Sequence, residues 1–226
     1  MTERMIKAVA FDIIETTVSL EPMRERLMGL GLPGNSLELW FASSLRDAFG
    51  LAASDRFQPF KDVLDAVLAD MLEQSGLAGS AEKRAEVLKG MAELTAHEDA
   101  RSAFERLSEA GVRIFALSNG AAAVTSSLLQ RCSLSNFVDR VISVDEVRWS
   151  KPRAEVYRHA VEIAGLRPEE MMLVACHPWD VHGAKAAGLL AGYVNRGHRF
   201  PTTMLQPDVE SGSLLQIAED ILTLGK

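Results

Sequence analysis

Five short apolar segments recur along this 226-residue chain, and they constrain its fold more than any other feature of the sequence. They span residues 6–14, 112–117, 138–144, 171–175 and 189–194. Apolar runs of this length are typical of strands that are buried on both faces of a parallel sheet. Helical patterns accompany the later runs, at residues 98–109, 121–131, 154–164 and 179–187. This alternation predicts an α/β fold whose core is a Rossmann-like, doubly wound parallel sheet.

The region between the first and second apolar runs has a different pattern. Residues 21–94 consist of helix-period segments separated by glycine and proline clusters, and no strand pattern is convincing there. We therefore predict an all-helical cap domain inserted into the core. The predicted boundaries assign residues 19–95 to the cap, and residues 1–18 and 96–226 to the core. Near the end of the chain, residues 196–213 are polar and contain proline, and residues 214–224 predict a closing helix.

Charge and cysteine content limit the partners and the compartment. Twenty-four basic and 31 acidic side chains give a formal net charge of −7, which repels nucleic-acid phosphates and anionic membranes. No apolar run approaches the roughly 20 residues of a transmembrane helix, and the first residues do not resemble a signal peptide. Cys132 and Cys176 have neither a disulfide pattern nor metal-ligand spacing. We expect a cytoplasmic protein without disulfides that takes a small-molecule substrate and binds neither nucleic acid nor membrane.

Polar side chains follow four of the predicted strands. Asp12 ends the first run, Ser118 and Asn119 follow the second, Lys151 follows the third, and Asp180 follows the fourth. Ligands of open parallel sheets bind beyond the carboxyl ends of the strands, where these residues would meet. Each residue alone has an ordinary explanation as a turn or helix-capping residue. Together they predict one site that combines two carboxylates, a hydroxyl, an amide and an ammonium group.

In their order along the chain, these residues resemble the four motifs of the haloacid dehalogenase superfamily, and the helical insert resembles its cap. The resemblance covers essentially the whole chain and implies that Asp12 is the nucleophile. Phosphatases of the superfamily carry a second Asp two residues after the nucleophile, where this chain has Ile14. Metal-dependent members keep an acidic residue about five positions before the final Asp, where this chain has Ala175. We therefore expect chemistry that uses no metal and no other cofactor.

The fourth motif looks like that of the type II 2-haloacid dehalogenases. Their Ser-Ser-Asn-Ala-Trp-Asp pattern corresponds to Ala-Cys-His-Pro-Trp-Asp at residues 175–180. The resemblance implies that Asp12 displaces halide from a short 2-haloalkanoic acid and forms an ester. Asp180 would position or activate the water that hydrolyses this ester to a 2-hydroxy acid, while Lys151 would keep both carboxylates ionised. The resemblance also makes a homodimer plausible.

The same resemblance implies a set of substrate-binding residues. Ser118, with backbone N–H groups near Thr16 and Asn119, would hold the substrate carboxylate, and Asn119 would also solvate the departing halide. Tyr157 would pin Lys151 or a carboxylate. The complete predicted substrate-binding set is Thr16, Phe41, Ser118, Asn119, Tyr157, His177 and Trp179.

The chain departs from the family pattern at several positions, among them Ile14 in place of an aromatic residue, Glu15 in place of a glycine and Ala175 in place of a serine. Two further departures bear directly on the predicted site. A family arginine that contacts the halide follows a cap tryptophan, and here that tryptophan is followed by Phe41. Arg46 on the same predicted helix is a candidate replacement, although its spacing puts it on a different side of the helix. His177 stands where the family has an amide. It could hydrogen-bond Asp12, Lys151 or water, or act as a second base that titrates near neutral pH.

Other functions stay open at this stage. They are a phosphatase acting on a small phosphate ester, an enzyme of this fold with a different small-molecule substrate, and a binding protein that retains only the fold. The reactive set at the strand ends argues against the last, because a binding protein has no need of it. Cys176 beside His177 suggests a thiol nucleophile, but cysteine is more often a buried small apolar residue.

Overall fold

The structure, a computed structural model, describes residues 6–224 as an alternation of strands and helices. Residues 1–5 and 225–226, which the sequence assigns to the core, lie outside the described residues. The strands are β1 (Ala8–Phe11), β2 (Val18–Ser19), β3 (Thr95–Ala96), β4 (Arg113–Ser118), β5 (Arg140–Ser143), β6 (Met171–Ala175), β7 (Leu190–Val194) and β8 (Val209–Ser211). The helices are α1 (Pro22–Met28), α2 (Ser36–Ala53), α3 (Phe60–Gln74), α4 (Ala81–Lys89), α5 (Ala100–Glu109), α6 (Ala122–Arg131), α7 (Ala154–Ala164), α8 (Pro178–Ala186) and α9 (Leu214–Thr223).

The central sheet has the strand order β5-β4-β1-β6-β7-β8, and all neighbouring strands are parallel. Val9 and Phe11 of β1 pack into the layer that contains α5 and α9, whereas Ala8 and Ala10 pack into the layer of α7 and α8. This burial on both faces explains why the strands are continuous apolar runs in the sequence. The predicted doubly wound parallel sheet is confirmed.

The four helices α1 to α4 form the cap, and they lie between β2 and β3, which pair antiparallel. Helices α2 and α3 pack together around the buried Trp40, whose indole N–H donates to the carbonyl oxygen of Leu64 at 3.0 Å. The helical cap predicted from the sequence is confirmed. Its predicted boundaries fall inside β2 and β3, and the assignment of residues 19–95 to a separate domain stays a prediction.

Two differences from the predicted elements have physical reasons. β1 is shorter than the predicted run at residues 6–14, because Asp12 and the residues that follow it turn away from the sheet to build the site. β8 lies inside the stretch predicted to be polar and irregular. It pairs Val209 with Gly192 at the sheet edge, and a three-residue edge strand with one apolar side chain has too little periodicity to be predicted.

Two further features bear on the predicted compartment. Within residues 6–224, none of the helices combines the length and apolar character needed to cross a membrane. Cys132 and Cys176 are both free thiols. Cys176 is buried beside the site, whereas Cys132 is only partly buried.

Candidate active site

The structure brings Asp12, Lys151 and Asp180 together at the carboxyl ends of β1 and β6. The Lys151 ammonium nitrogen lies 3.1 Å from Oδ1 of Asp12 and 2.8 Å from Oδ2 of Asp180. Lys151 and Asp180 are 0% exposed and Asp12 is 7% exposed, so of these three side chains only Asp12 has accessible surface. Buried charges are stable only when they are paired, and here a single cation serves two carboxylates.

The electrostatics of this trio favour a charged lysine. Burial disfavours the ammonium ion, but the carboxylates of Asp12 and Asp180 outweigh that effect and raise the pKa of Lys151. Burial also raises the pKa of Asp180, an effect that Lys151 opposes. The arrangement therefore keeps a fixed positive charge directly behind the Asp12 carboxylate.

Tyr157 completes the buried network from α7. Its hydroxyl donates to Oδ1 of Asp180 at 2.6 Å, and its side chain is fully buried. Burial, reinforced by Asp180, raises the pKa of Tyr157 well above its ordinary value, so the phenol stays a donor. A Cβ at Gly183 would lie 2.6 Å from the Tyr157 hydroxyl, so a glycine is needed for this approach.

This position of Tyr157 corrects one sequence expectation. The sequence placed Tyr157 among the substrate-binding residues, but its side chain does not line the cavity and instead holds Asp180 from behind. Both oxygens of Asp180 are thus engaged, one by Lys151 and one by Tyr157. The sequence predicted either Lys151 or a carboxylate as the partner of Tyr157, and in the structure the partner is the carboxylate of Asp180.

The loop after β1 is held by two buried threonines. Thr16 donates its hydroxyl to Oδ2 of Asp12 at 2.7 Å and accepts the backbone N–H of Cys176 at 2.9 Å. Thr17 donates to the backbone oxygen of Asp12 at 2.7 Å. The Thr16 side chain therefore orients the Asp12 carboxylate and does not line the cavity. The side chain thus supports the nucleophile, while the predicted contact between the substrate carboxylate and backbone N–H groups near Thr16 stays a prediction.

The loop after β4 carries the hydroxyl and amide predicted to bind the substrate carboxylate. Ser118 accepts the backbone N–H of Gly120 at 2.9 Å. Asn119 accepts the backbone N–H of Lys151 at 3.1 Å, which ties the second motif to the third. Both residues line the same cavity as Asp12. Ser118 and Asn119 therefore lie where they can contact a ligand that is bound at Asp12.

A cavity of about 130 Å³ lies between Asp12 and the cap. Its core side contains Asp12, Ser118, Asn119, His177 and Trp179. The remainder of its wall is mainly apolar and comes from the cap and α6: Phe41, Leu45, Phe60, Leu64, Leu88, Met91, Val124 and Leu128. Such a cavity suits a small ligand that has one polar end and one apolar end.

His177 directs its Nε2 atom at oxygen atoms of the nucleophile loop. Nε2 lies 3.2 Å from the backbone oxygen of Ile14, 3.6 Å from a carboxylate oxygen of Glu15 and 3.8 Å from Oδ2 of Asp12. Burial disfavours the imidazolium ion, but Cys176, Asp12 and Glu15 outweigh it and raise the pKa of His177 to about 10. This direction differs from the sequence expectation of a base that titrates near neutral pH, because Cys176 and the carboxylates of Asp12 and Glu15 favour the protonated ring.

Aromatic rings fix the position of this imidazole. Its ring stacks on Trp179 with centroids 5.2 Å apart and an interplanar angle of 17°. Phe41 of the cap approaches from the other side with a centroid distance of 5.9 Å. Trp179 in turn meets Phe49 of the cap edge to face. Core and cap therefore clamp His177 between them at the side of the cavity.

Arg46 does not replace the arginine that is missing at position 41. Phe41 is buried and lines the cavity, whereas Arg46 is exposed and pairs with Asp47 at 2.8 Å. The five-residue spacing on α2 puts the two side chains on different faces of the helix. The expectation that Arg46 could act as a substitute halide contact is therefore wrong.

Two charged residues of the site were missed in the sequence. Lys61, in the first turn of α3, lines the cavity, and Glu15 lies beside His177 with a left-handed φ of 64°. Lys61 had no signal in the sequence, because the cap orientation decides its position. Glu15 replaces a family glycine, which is a signal for a left-handed turn but not for a carboxylate beside His177. Within residues 6–224, no group of three or more His, Cys, Asp or Glu side chains is arranged so that it could bind a metal ion.

Comparison with known proteins identifies the family. The family model of the haloacid dehalogenase-like hydrolases matches residues 6–188 of the chain. The chain belongs to this hydrolase family. This membership confirms the resemblance stated from the four motifs, and it makes an enzyme of the hydrolase class the starting point for the function.

Similar proteins narrow the position within the family. (S)-2-haloacid dehalogenase 1 of Pseudomonas sp. (strain CBS-3) is 30% identical over 158 residues, which cover 70% of each chain. The (S)-2-haloacid dehalogenase of Xanthobacter autotrophicus is 30% identical over 195 residues, 85% of this chain and 76% of that protein. The solved structure of L-2-haloacid dehalogenase from Xanthobacter autotrophicus has a TM-score of 0.89 and 26% identity, and it covers 97% of this chain and 99% of that chain. The predicted likeness to type II 2-haloacid dehalogenases is confirmed.

Proposed function

We propose that this hydrolase removes halide from short 2-haloalkanoic acids through an ester of Asp12 and yields 2-hydroxy acids. The observation that carries the proposal is the Asp12 carboxylate, which faces a small apolar cavity while Lys151 and Thr16 hold it from behind. The names of its relatives, which are (S)-2-haloacid dehalogenases, support this substrate class.

In the first step, an Asp12 carboxylate oxygen attacks the carbon that bears the halogen. A carbon–oxygen ester bond forms, the carbon–halogen bond breaks, and the halide leaves with the bonding electron pair. Ser118 and Asn119 line the cavity beside Asp12 and bind the substrate carboxylate. The hydrogen bonds from Lys151 and Thr16 fix the angle of the nucleophile, and orientation of this kind contributes strongly to the rate.

In the second step, water attacks the Asp12 carbonyl carbon and gives a proton to Asp180. The bond between this carbon and the alcohol oxygen breaks, which releases the 2-hydroxy acid and restores Asp12. Overall, a 2-haloacid anion and water become a 2-hydroxy acid anion, halide and one proton. The burial that raises the pKa of Asp180 makes it a better base than a solvated carboxylate.

The proposed reaction uses no metal ion. The Lys151 ammonium lies between the two carboxylates, in the position where a divalent cation would need to contact them. Ile14 also lacks the oxygen-donating side chain that a second Asp would supply at that position. Lys151 therefore supplies the positive charge that keeps both acidic groups ionised.

Halide release tests this proposal directly. Purified protein is incubated with L- and D-2-chloropropionate and with bromoacetate, in the presence and absence of EDTA, and free halide is measured over time. Halide release that survives EDTA and is abolished in Asp12→Asn is the expected result. Magnesium-dependent hydrolysis of an aryl phosphate without halide release would replace the proposal with a phosphatase.

A further inference from the structure

A second, solvent-open cleft lies on the other side of His177 from the cavity that contains Asp12. Glu15, His97 and Arg196 line this outer cleft, together with Phe41 and His177, which also line the inner cavity. The imidazole of His177 is therefore a wall shared by the two spaces. It is the group through which a proton can pass between the solvent side and the nucleophile.

The surroundings of Nε2 show that this nitrogen carries a proton. The backbone oxygen of Ile14, a carboxylate oxygen of Glu15 and Oδ2 of Asp12 lie within 4 Å of it. A backbone oxygen and ionised carboxylates can only accept hydrogen bonds. The nitrogen is consequently a donor, and Oδ2 of the nucleophile lies 3.8 Å from it.

Glu15 is held in an unfavourable backbone conformation beside this donor. Its φ of 64° lies in the left-handed region, where a side chain with a Cβ is strained. The His97 ring donates from Nε2 to the Glu15 backbone oxygen at 3.0 Å and thereby holds the turn. Strained residues of this kind cluster at functional sites. The result of the strain is a carboxylate directed at His177.

We propose that His177, held by Glu15, is the general acid of ester hydrolysis. This inference rests on the proposed aspartyl-ester reaction and adds a step to it. As the bond between the Asp12 carbonyl carbon and the alcohol oxygen breaks, Nε2 gives its proton to that oxygen, so that a neutral hydroxyl group leaves instead of an alkoxide. Glu15 is a positioning residue that stabilises the imidazolium ion.

The proton balance closes without any further reactant. Attacking water gives one proton to Asp180 and its hydroxyl group to the Asp12 carbon. When the alcohol leaves with the proton of Nε2, Asp12 is restored as a carboxylic acid, which returns its proton to the neighbouring His177. Asp180 then releases its proton to solvent, and each group regains its starting state.

The charges around His177 keep the ring protonated through the neutral pH range. Burial opposes the imidazolium ion, but Cys176, Asp12 and Glu15 face the ring from the core and raise its pKa to about 10. From the cap, Phe41 of α2 packs against the ring. The other charged or titratable groups that line the two cavities beside the ring are Glu21, Arg24, Glu38, Lys61, His97, Arg196, His198 and Arg199. Burial raises the pKa of Glu15, an effect that His177 and His198 oppose and that Asp12 and Glu38 reinforce.

The first test is the time course of halide release by His177→Phe. The phenyl ring can stack on Trp179 as the imidazole does but cannot act as an acid, so one halide per active site should appear in a burst, followed by slow turnover. We expect the steady-state rate to fall about 10²- to 10⁴-fold, the usual contribution of acid–base catalysis, and the mass of the intact protein should reveal the accumulated ester. His159→Phe is the matched control, because His159 pairs with Glu146 outside the cavity.

The outcomes separate this inference from the proposed function. A burst from His177→Phe also proves that the variant is folded and that Asp12 is reactive. Turnover at the wild-type rate without a burst would overturn the role of His177 while leaving the dehalogenase proposal intact. Absence of halide release from the wild-type protein would instead overturn the dehalogenase proposal, and the inference with it.

The pH profile tests Glu15 independently. Because the imidazolium is the active form, wild-type ester hydrolysis should decline as the pH rises through about 10. Glu15→Gln removes a carboxylate that favours the imidazolium, so this decline should move to lower pH. His177→Phe should lose the decline altogether. An unchanged profile in Glu15→Gln would overturn the positioning role.

Discussion

The two sides of the cavity are built on opposite principles. On the core side, the hydrogen-bonded groups of Asp12, Lys151, Asp180 and Tyr157 are nearly all buried, and each is engaged by another member of the network. On the cap side, most of the lining residues are hydrocarbon or aromatic side chains. Polar networks of the first kind fix geometry, whereas apolar walls of the second kind select size and exclude water. The comparison indicates that reactivity resides in the core and substrate choice in the cap.

The largest effect is expected from Lys151→Met, which breaks the core network at its centre. Two buried carboxylates would lose their only shared cation, and loss of one partner of a buried ion pair costs about 3–5 kcal/mol. We expect halide release to vanish and the free energy of unfolding, measured in urea, to fall by about that amount. The stability of the variant should recover partly as the pH is lowered, because protonation neutralises the carboxylates. Lys89→Met is the control, since Lys89 is exposed on the cap. If Lys151→Met were as stable as the wild type, the buried polar network on the core side would not depend on its central cation, and the comparison would be contradicted.

A smaller effect is expected from Tyr157→Phe, which removes one hydrogen bond from the same network. Asp180 would keep Lys151 but lose the 2.6 Å contact to the phenol, at a cost of about 1–3 kcal/mol for a hydrogen bond to a buried charge. Ester hydrolysis should slow while KM stays unchanged, because the hydroxyl lies behind Asp180 and outside the cavity. Tyr193→Phe is a matched control, since its hydroxyl donates to the backbone oxygen of His198. A raised KM for Tyr157→Phe would instead support the original assignment of Tyr157 to substrate binding.

The same division explains what could be predicted from the sequence. The positions of Asp12, Lys151 and Asp180 were predictable because parallel strands bring their carboxyl ends to one edge, whatever the details of packing. The roles of Arg46 and Lys61 were not predictable in this way, because the way in which the cap docks on the core decides which cap side chains reach the cavity. The same holds for the position of the Glu15 carboxylate beside His177, which only the finished fold decides.

An effect on specificity rather than reactivity is expected from Leu64→Ala in the cap wall. The shorter side chain enlarges the cavity, and a change of this size in an apolar pocket alters selectivity by about 10- to 200-fold. We expect KM for 2-chloropropionate to rise and activity toward longer 2-haloacids, such as 2-bromohexanoate, to increase, while kcat for 2-chloropropionate stays close to that of the wild type. Leu39→Ala is the control, because Leu39 is 59% exposed on α2. A collapse of kcat for every substrate would mean that the cap also serves the chemistry.

The smallest effect is expected from Arg46→Ala. Unchanged activity in this variant would support the view that the cap contributes shape and not charge. Arg46 is exposed, pairs with its neighbour Asp47 and does not line the cavity. Surface ion pairs of this kind contribute little to stability. Halide release should therefore match the wild type for chloride, bromide and iodide leaving groups. A loss that grows from iodide to chloride would mean that Arg46 reaches the leaving halide when the cap moves, and the cap would then supply charge as well as shape.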